Sequence, residues 1–147
     1  MSGTIVVGID GSHGSIKALS YALDEARVRG ADVRAVAAWH IPLAVYGSGM
    51  APVMVDPSEF ENGARTALEQ ALEEASVSKS GVSVTPVVRE GQAADVLVEE
   101  ARNADLLVVG SRGLGGFKGL LLGSVSQQCA HHAACPVAIV PSARSRH

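Results

Sequence analysis

Apolar residues fall along this chain in two alternating patterns: short, mostly apolar runs, of which the first is unbroken and that at 82–88 partly alternating, and longer stripes spaced three to four residues apart. The runs are Thr4-Ile5-Val6-Val7-Gly8 and residues 33–39, 82–88, 104–109 and 136–140. A run of that length bounded by turn residues reads as a strand, and an unbroken one as a strand buried on both faces. The stripes read as helices. Ser12 caps the first, whose apolar face is Ile16, Leu19, Ala22, Leu23 and Ala26 and which Gly30 stops. Asp56-Pro57-Ser58-Glu59 opens the second, with Asp56 as cap and Pro57 at the first helical position. Its face runs Phe60, Ala64, Ala67, Leu68, Ala71, Leu72 and Ala75. A short helix follows on Ala93, Val96, Leu97 and Ala101, and Ser124-Val125-Ser126-Gln127 has the spacing of a capping box for the last.

Strand-then-helix alternation predicts an α/β fold: a doubly wound, five-stranded, mostly parallel sheet with helices on both faces. Residues 1–147 are expected to form a single domain. Hydrophobic residues make up 47% of the chain but aromatic ones only 3%, so Ala, Val, Leu and Ile must build the core. The formal net charge is −3 with both signs interspersed, which argues against nucleic acid and anionic membrane as partners. The basic cluster Arg144, Arg146 and His147 reads as a solvated end. No apolar stretch approaches the roughly 20 residues of a membrane span, and no signal-peptide pattern precedes the first strand. Cys129 and Cys135 have neither a disulfide framework nor zinc-ligand spacing around them, so free thiols in a cytoplasmic protein are expected.

In such a sheet a ligand binds beyond the carboxyl ends of the strands, where the strand order reverses. The distinctive ends are Gly8-Ile9-Asp10-Gly11-Ser12 after the first strand and the glycine-rich residues 110–123 after the fourth. Glycines let backbone N–H groups approach an anion closely, and this stretch delivers the chain to a helix start at Ser124, where unpaired N–H groups favour phosphate. The hydroxyls of Ser124 and Ser126 add donors, and Arg112 and Lys118 add charge. A Walker-type loop and a dinucleotide fingerprint are both absent from the sequence. A plain linker is the competing reading of the glycines, and a turn or cap residue that of Asp10. His40, His131 and His132 read as rim or solvated positions, and Glu69, Glu73, Glu74, Glu99 and Glu100 as solvated helix decoration.

Gly110-x2-Gly113-x9-Gly123-Ser124 resembles the nucleotide signature of the ATP-binding branch of the universal stress protein family. Residues 5–12, 104–113 and 135–140 are similar to that family's first strand and turn, fourth strand and closing strand. The resemblance covers nearly the whole chain. It implies a flavodoxin-like architecture, an ATP held between strands one and four, and a homodimer formed through the last strand. Carried over by position, Gly8, Ile9 and Asp10 line the nucleotide, with Asp10 near the ribose, the phosphates or an accompanying Mg²⁺ or Mn²⁺. Ala38 meets adenine. Val109, Gly110, Arg112 and Gly113 flank ribose and phosphates, and Gly123, Ser124, Val125 and Ser126 cradle the phosphate chain.

The function so implied is a nucleotide-dependent stress-response regulator with no or slow ATP hydrolysis, because no convincing base for phosphoryl transfer stands beside Asp10 and Arg112. A cyclic AMP binder of the same fold and a slow adenine-nucleotide hydrolase are the alternatives, with a nucleotide-free dimeric interaction protein behind them.

Overall fold

The computed structural model describes residues 3–41, 56–112 and 122–141. Most of the 40–55 segment, Gly113, Lys118 and the basic residues of the tail lie outside them. Within the described residues the elements run β1 (Thr4–Gly8), α1 (His13–Arg29), β2 (Asp32–Trp39), α2 (Pro57–Glu74), a 3-10 turn (Val77–Lys79), β3 (Val84–Glu90), α3 (Ala93–Glu100), β4 (Leu106–Gly110), α4 (Ser124–His132) and β5 (Val137–Val140).

The five strands form one sheet in the order β3-β2-β1-β4-β5, and all four pairings are parallel. The expected α/β class with helices on both faces is what the chain adopts. The order reverses between β1 and β4, where the chain leaves β1 toward β2 on one side and later returns to β4 on the other. That is the switch point of a doubly wound sheet.

Side chains alternate faces along a strand, and the core divides accordingly. Ile5, Val7, Val33, Ala35 and Val108 pack with Ala18, Leu19, Ala22 and Leu23 of α1 and with Leu68 and Ala71 of α2. Val6, Val36, Leu107 and Val109 face the other way, against Val96, Leu97 and Ala101 of the α3 segment and Cys129 of α4. Small residues let the helices lie close to the sheet, consistent with the scarcity of aromatics.

Local signals behave as the sequence chemistry dictates. The Ser12 side chain accepts from the Ser15 N–H at the start of α1, and Gly30 ends that helix at a positive φ of 67°. Asp56 accepts from the Ser58 N–H at 3.0 Å, with Pro57 opening α2. Strand β3 is offset from its expected 82–88 span: Val82 and Ser83 precede the ladder, which runs on to Glu90 opposite Trp39. As the outer neighbour of β2 it is half-exposed, so its apolar pattern marks its ends poorly.

Glu99 and Glu100 are not merely solvated decoration. Glu100 accepts from Arg34 of β2 at 2.5 Å and from Arg89 of β3 at 2.8 Å, while Glu99 accepts from Arg89 at 2.7 Å. Burial pushes the Glu100 carboxyl up, but the hydrogen bonds and charges of Arg34 and Arg89 more than reverse this and leave it below its ordinary value. A carboxyl depressed in the folded state adds stability above its unfolded pKa and loses it as pH falls through the folded one. Glu100→Gln is therefore expected to cost on the order of 1 kcal/mol at neutral pH, since both arginines stay partly solvated. Its stability should also fall less steeply than wild type on acidification below about pH 4, as followed by urea unfolding at stepped pH.

Candidate nucleotide site

The switch point opens into a cavity of about 500 Å³, within the range of small-molecule sites. Its floor is the β1 exit, Gly8, Ile9 and Asp10, beside the β4 exit, Val109, Gly110, Ser111 and Arg112. Ala38 and Val36 enter from β2, and Ala93 and Leu97 from α3. The start of α4 closes the remaining side with Gly123, Ser124, Val125 and Ser126. Every expected site residue that the structure describes thus lies on one cavity wall; Gly113 is outside the described residues.

The first turn is pinned internally. Asp10 accepts from the N–H and hydroxyl of Ser12, and the Asp10 N–H donates to Ser15 Oγ at 3.3 Å. Asp10 therefore has the turn role expected of an Asp before Gly-Ser and also borders the cavity. The two glycines at the strand exits have packing reasons of their own. A Cβ on Gly8 would stand 2.7 Å from Leu97 Cδ1, and one on Gly110 would stand 3.1 Å from the Gly14 carbonyl oxygen of α1.

At α4 the capping box expected from Ser124 to Gln127 is not formed. Gly123 is the N-cap, in extended backbone, and no side chain caps the helix. The physical reason is a shift of one residue: Ser124 already lies inside the first turn, so its hydroxyl accepts from the Gln128 side chain at 3.0 Å instead. The N–H groups of Ser124, Val125 and Ser126, which have no intrahelical acceptor, are left at the cavity wall with the positive end of the helix dipole. The Ser126 hydroxyl is buried and donates to the carbonyls of Ser111 and Gly123, both at 3.0 Å. It is not a free donor to a ligand, contrary to its expected hydroxyl role.

Among the described wall residues Arg112 is the cation and Asp10 the carboxylate. No three His, Cys, Asp or Glu side chains converge among the described residues. A resident metal centre built from side chains is therefore not what the described wall offers, and Asp10 is the one carboxylate on it that could meet an ion held mainly by a ligand. Behind the wall, Cys129 is a buried free thiol whose pKa is pushed up to about 11 by burial, so it stays protonated and serves as packing.

The sequence reading assigned no site role to Ser12, Ser15, Val36, Ala93, Leu97, Ser111, Leu122, Gln127 and Gln128, all of which line the wall. Ser111 and Leu122 sit inside or beside the motif and were within reach. Ala93 and Leu97 follow β3 in sequence and arrive at the cavity only through the strand order.

Strand order and cavity together define a doubly wound α/β protein with an open switch point. The chain belongs to the universal stress protein family, whose sequence profile matches residues 1–141. It is 40% identical over 136 residues to a universal stress protein of Mycolicibacterium smegmatis, covering 92% of this chain and 45% of that one. With a universal stress protein of Mycobacterium tuberculosis it shares 35% identity over 143 residues, covering 95% and 48%. The chain spans about half the length of the curated relatives it matches. Among solved structures, a universal stress protein in complex with cAMP superposes with a TM-score of 0.72 at 30% identity, covering 97% of this chain and 98% of that one. Among the described residues no helix is long and apolar enough to cross a membrane.

Proposed function

We propose that the protein binds ATP in the switch-point cavity and acts in the cytoplasm as a nucleotide-dependent regulator of a stress response, with no or slow hydrolysis. The observation that carries this reading is the α4 start, uncapped by any side chain and facing the same cavity as the ends of β1 and β4. Adenine would lie toward Ala38 and the phosphates toward Gly123, Ser124, Val125 and Ser126, with Arg112 adding charge and Asp10 meeting ribose or a phosphate-held Mg²⁺ or Mn²⁺. With Asp10 held in its turn by Ser12, the described wall offers no general base, which supports binding over turnover.

Nucleotide released on denaturing the purified protein should be ATP, identified by chromatography and mass at a substantial fraction of one per chain. Ser124→Pro sharpens the test. Proline is tolerated at a first helical position after an extended residue, and Gly123 is extended, so the helix should survive while one N–H and one hydroxyl vanish. Loss of a charge-assisted donor predicts ATP affinity roughly tenfold or more weaker, with unfolding stability nearly unchanged. Full-strength binding by the variant would remove the phosphate reading of α4.

Cyclic AMP is the second reading, favoured by the 30% identical relative solved with that ligand. Competition titrations decide between them, since only ATP carries a triphosphate for the α4 start. We extend the reading to a homodimer through β5, which borders β4 on one side and has no strand on its other side among the described residues. Light scattering that reports a monomer at high micromolar concentration would remove the dimer.

A further inference from the structure

The carbonyl of Ser111 lies where β4 ends and the glycine-rich stretch begins. It accepts from the Gly123 N–H at 2.6 Å and from the Ser126 hydroxyl at 3.0 Å, and the Ser111 N–H donates to the Val140 carbonyl at 2.8 Å. The same Ser126 hydroxyl reaches the Gly123 carbonyl, also at 3.0 Å. Residues 111 and 123, twelve positions apart in sequence, are thus joined just beyond the end of β4 by a three-residue clasp in which Ser111 and Ser126 are buried. Ser126 is 2% exposed and its hydroxyl has one hydrogen, already shared between two carbonyls. A phosphate accepts hydrogen bonds and does not donate them when ionised, so it would need that hydrogen.

We propose that Ser126 is a positioning residue: its hydroxyl fastens the start of α4 to the end of β4 and so sets where the N–H groups of Ser124, Val125 and Ser126 point, without itself touching the ligand. The ligand half of this statement rests on the nucleotide reading above; the clasp does not. A phosphate site made of backbone donors needs its donors fixed before the ligand arrives, because a cradle free to splay loses affinity to ordering.

The test uses the full chain without nucleotide, and reads amide hydrogen exchange at Gly123, whose N–H is the clasp's backbone bond. Ser126→Ala should speed that exchange by roughly five- to tenfold, the worth of one buried hydrogen bond. It should weaken ATP by a similar factor and leave adenosine, which has no phosphate, unmoved. Ser126→Thr and Ser126→Val make the control pair, equal in shape and differing in the hydroxyl: Thr should keep slow exchange and tight ATP, and Val should lose both. Unchanged Gly123 exchange in Ser126→Ala overturns the clasp. Weakened ATP with unchanged exchange makes Ser126 a direct ligand group. If the wild-type chain binds no nucleotide, the functional reading falls, and the exchange pair still decides the clasp.

Discussion

Replacing Leu107 by alanine is expected to lower the free energy of unfolding by about 3 kcal/mol, the middle of the range for emptying a buried leucine site. Leu107, the second residue of β4, is fully buried and paired with Val6 on one side and Val137 on the other. It faces the α3 and α4 side of the sheet, in the cluster that holds Leu97 and Cys129. A core of valines and alanines has few long side chains that can swing into a void, so most of the cavity should persist. At about 2–4 °C per kcal/mol for a chain of this size, Tm should drop by roughly 10 °C. Chemical denaturation with an unchanged m-value is the check. Val28→Ala, at a side chain 84% exposed at the end of α1, is the reference and should shift stability by only a few tenths of a kcal/mol, which is the scale of surface changes. A loss under 1 kcal/mol in Leu107→Ala would mean that this face of the sheet is far looser than its burial indicates.

Leu107 also shows why the fold was legible. Strands β1 and β4 are the unbroken apolar runs that burial on both faces of a parallel sheet requires, and strands and helices alternate along the described residues. Helix α1 carries its cap, stripe and stop in the expected register because each is a local signal, decided within a few residues. What local signals do not carry is which strands become neighbours. Arg34, Arg89 and Glu100 meet because β2 and β3 lie side by side under α3, and no spacing in the sequence joins them. Leu97 reaches the cavity for the same reason. The misread at α4 is of another kind: the Ser-x-x-Gln spacing is real, but Gly123 takes the cap position because its N–H and carbonyl are both engaged, with Ser111 and with Gln127 and Ser126. A tertiary tie there overrides a local preference.

That distinction decides how Gly110 should be tested. Resemblance makes it a ligand residue, which predicts that a side chain there abolishes nucleotide binding and leaves the fold intact. Packing makes it a point of closest approach between β4 and α1: a Cβ would stand 3.1 Å from the Gly14 carbonyl oxygen and 3.2 Å from its carbon. Those are backbone atoms in the first turn of a helix, and they cannot rotate aside. Gly110→Val is therefore expected to cost about 3 kcal/mol, the upper end for overpacking, in addition to any effect on binding. Gly8→Ala is the milder comparison at the neighbouring strand exit. Its Cβ would meet Leu97 Cδ1 at 2.7 Å, a tighter distance but to the far end of a flexible side chain. A rotamer change relieves it, at a cost of about 1 kcal/mol. Distance alone would make Gly8 the worse place for a Cβ; the stiffness of the neighbour makes it Gly110, and the two further methyls of valine add to the cost there. Urea unfolding of the two variants, followed by ATP titration of each, separates the cases. If Gly110→Val proves as stable as wild type yet binds no nucleotide, the glycine is there for the ligand and α1 is free to shift away. If stability falls as expected, the residue that marks the binding motif is also the one that lets α1 seat against β4, placing Ser12 and Ser15 on the cavity wall.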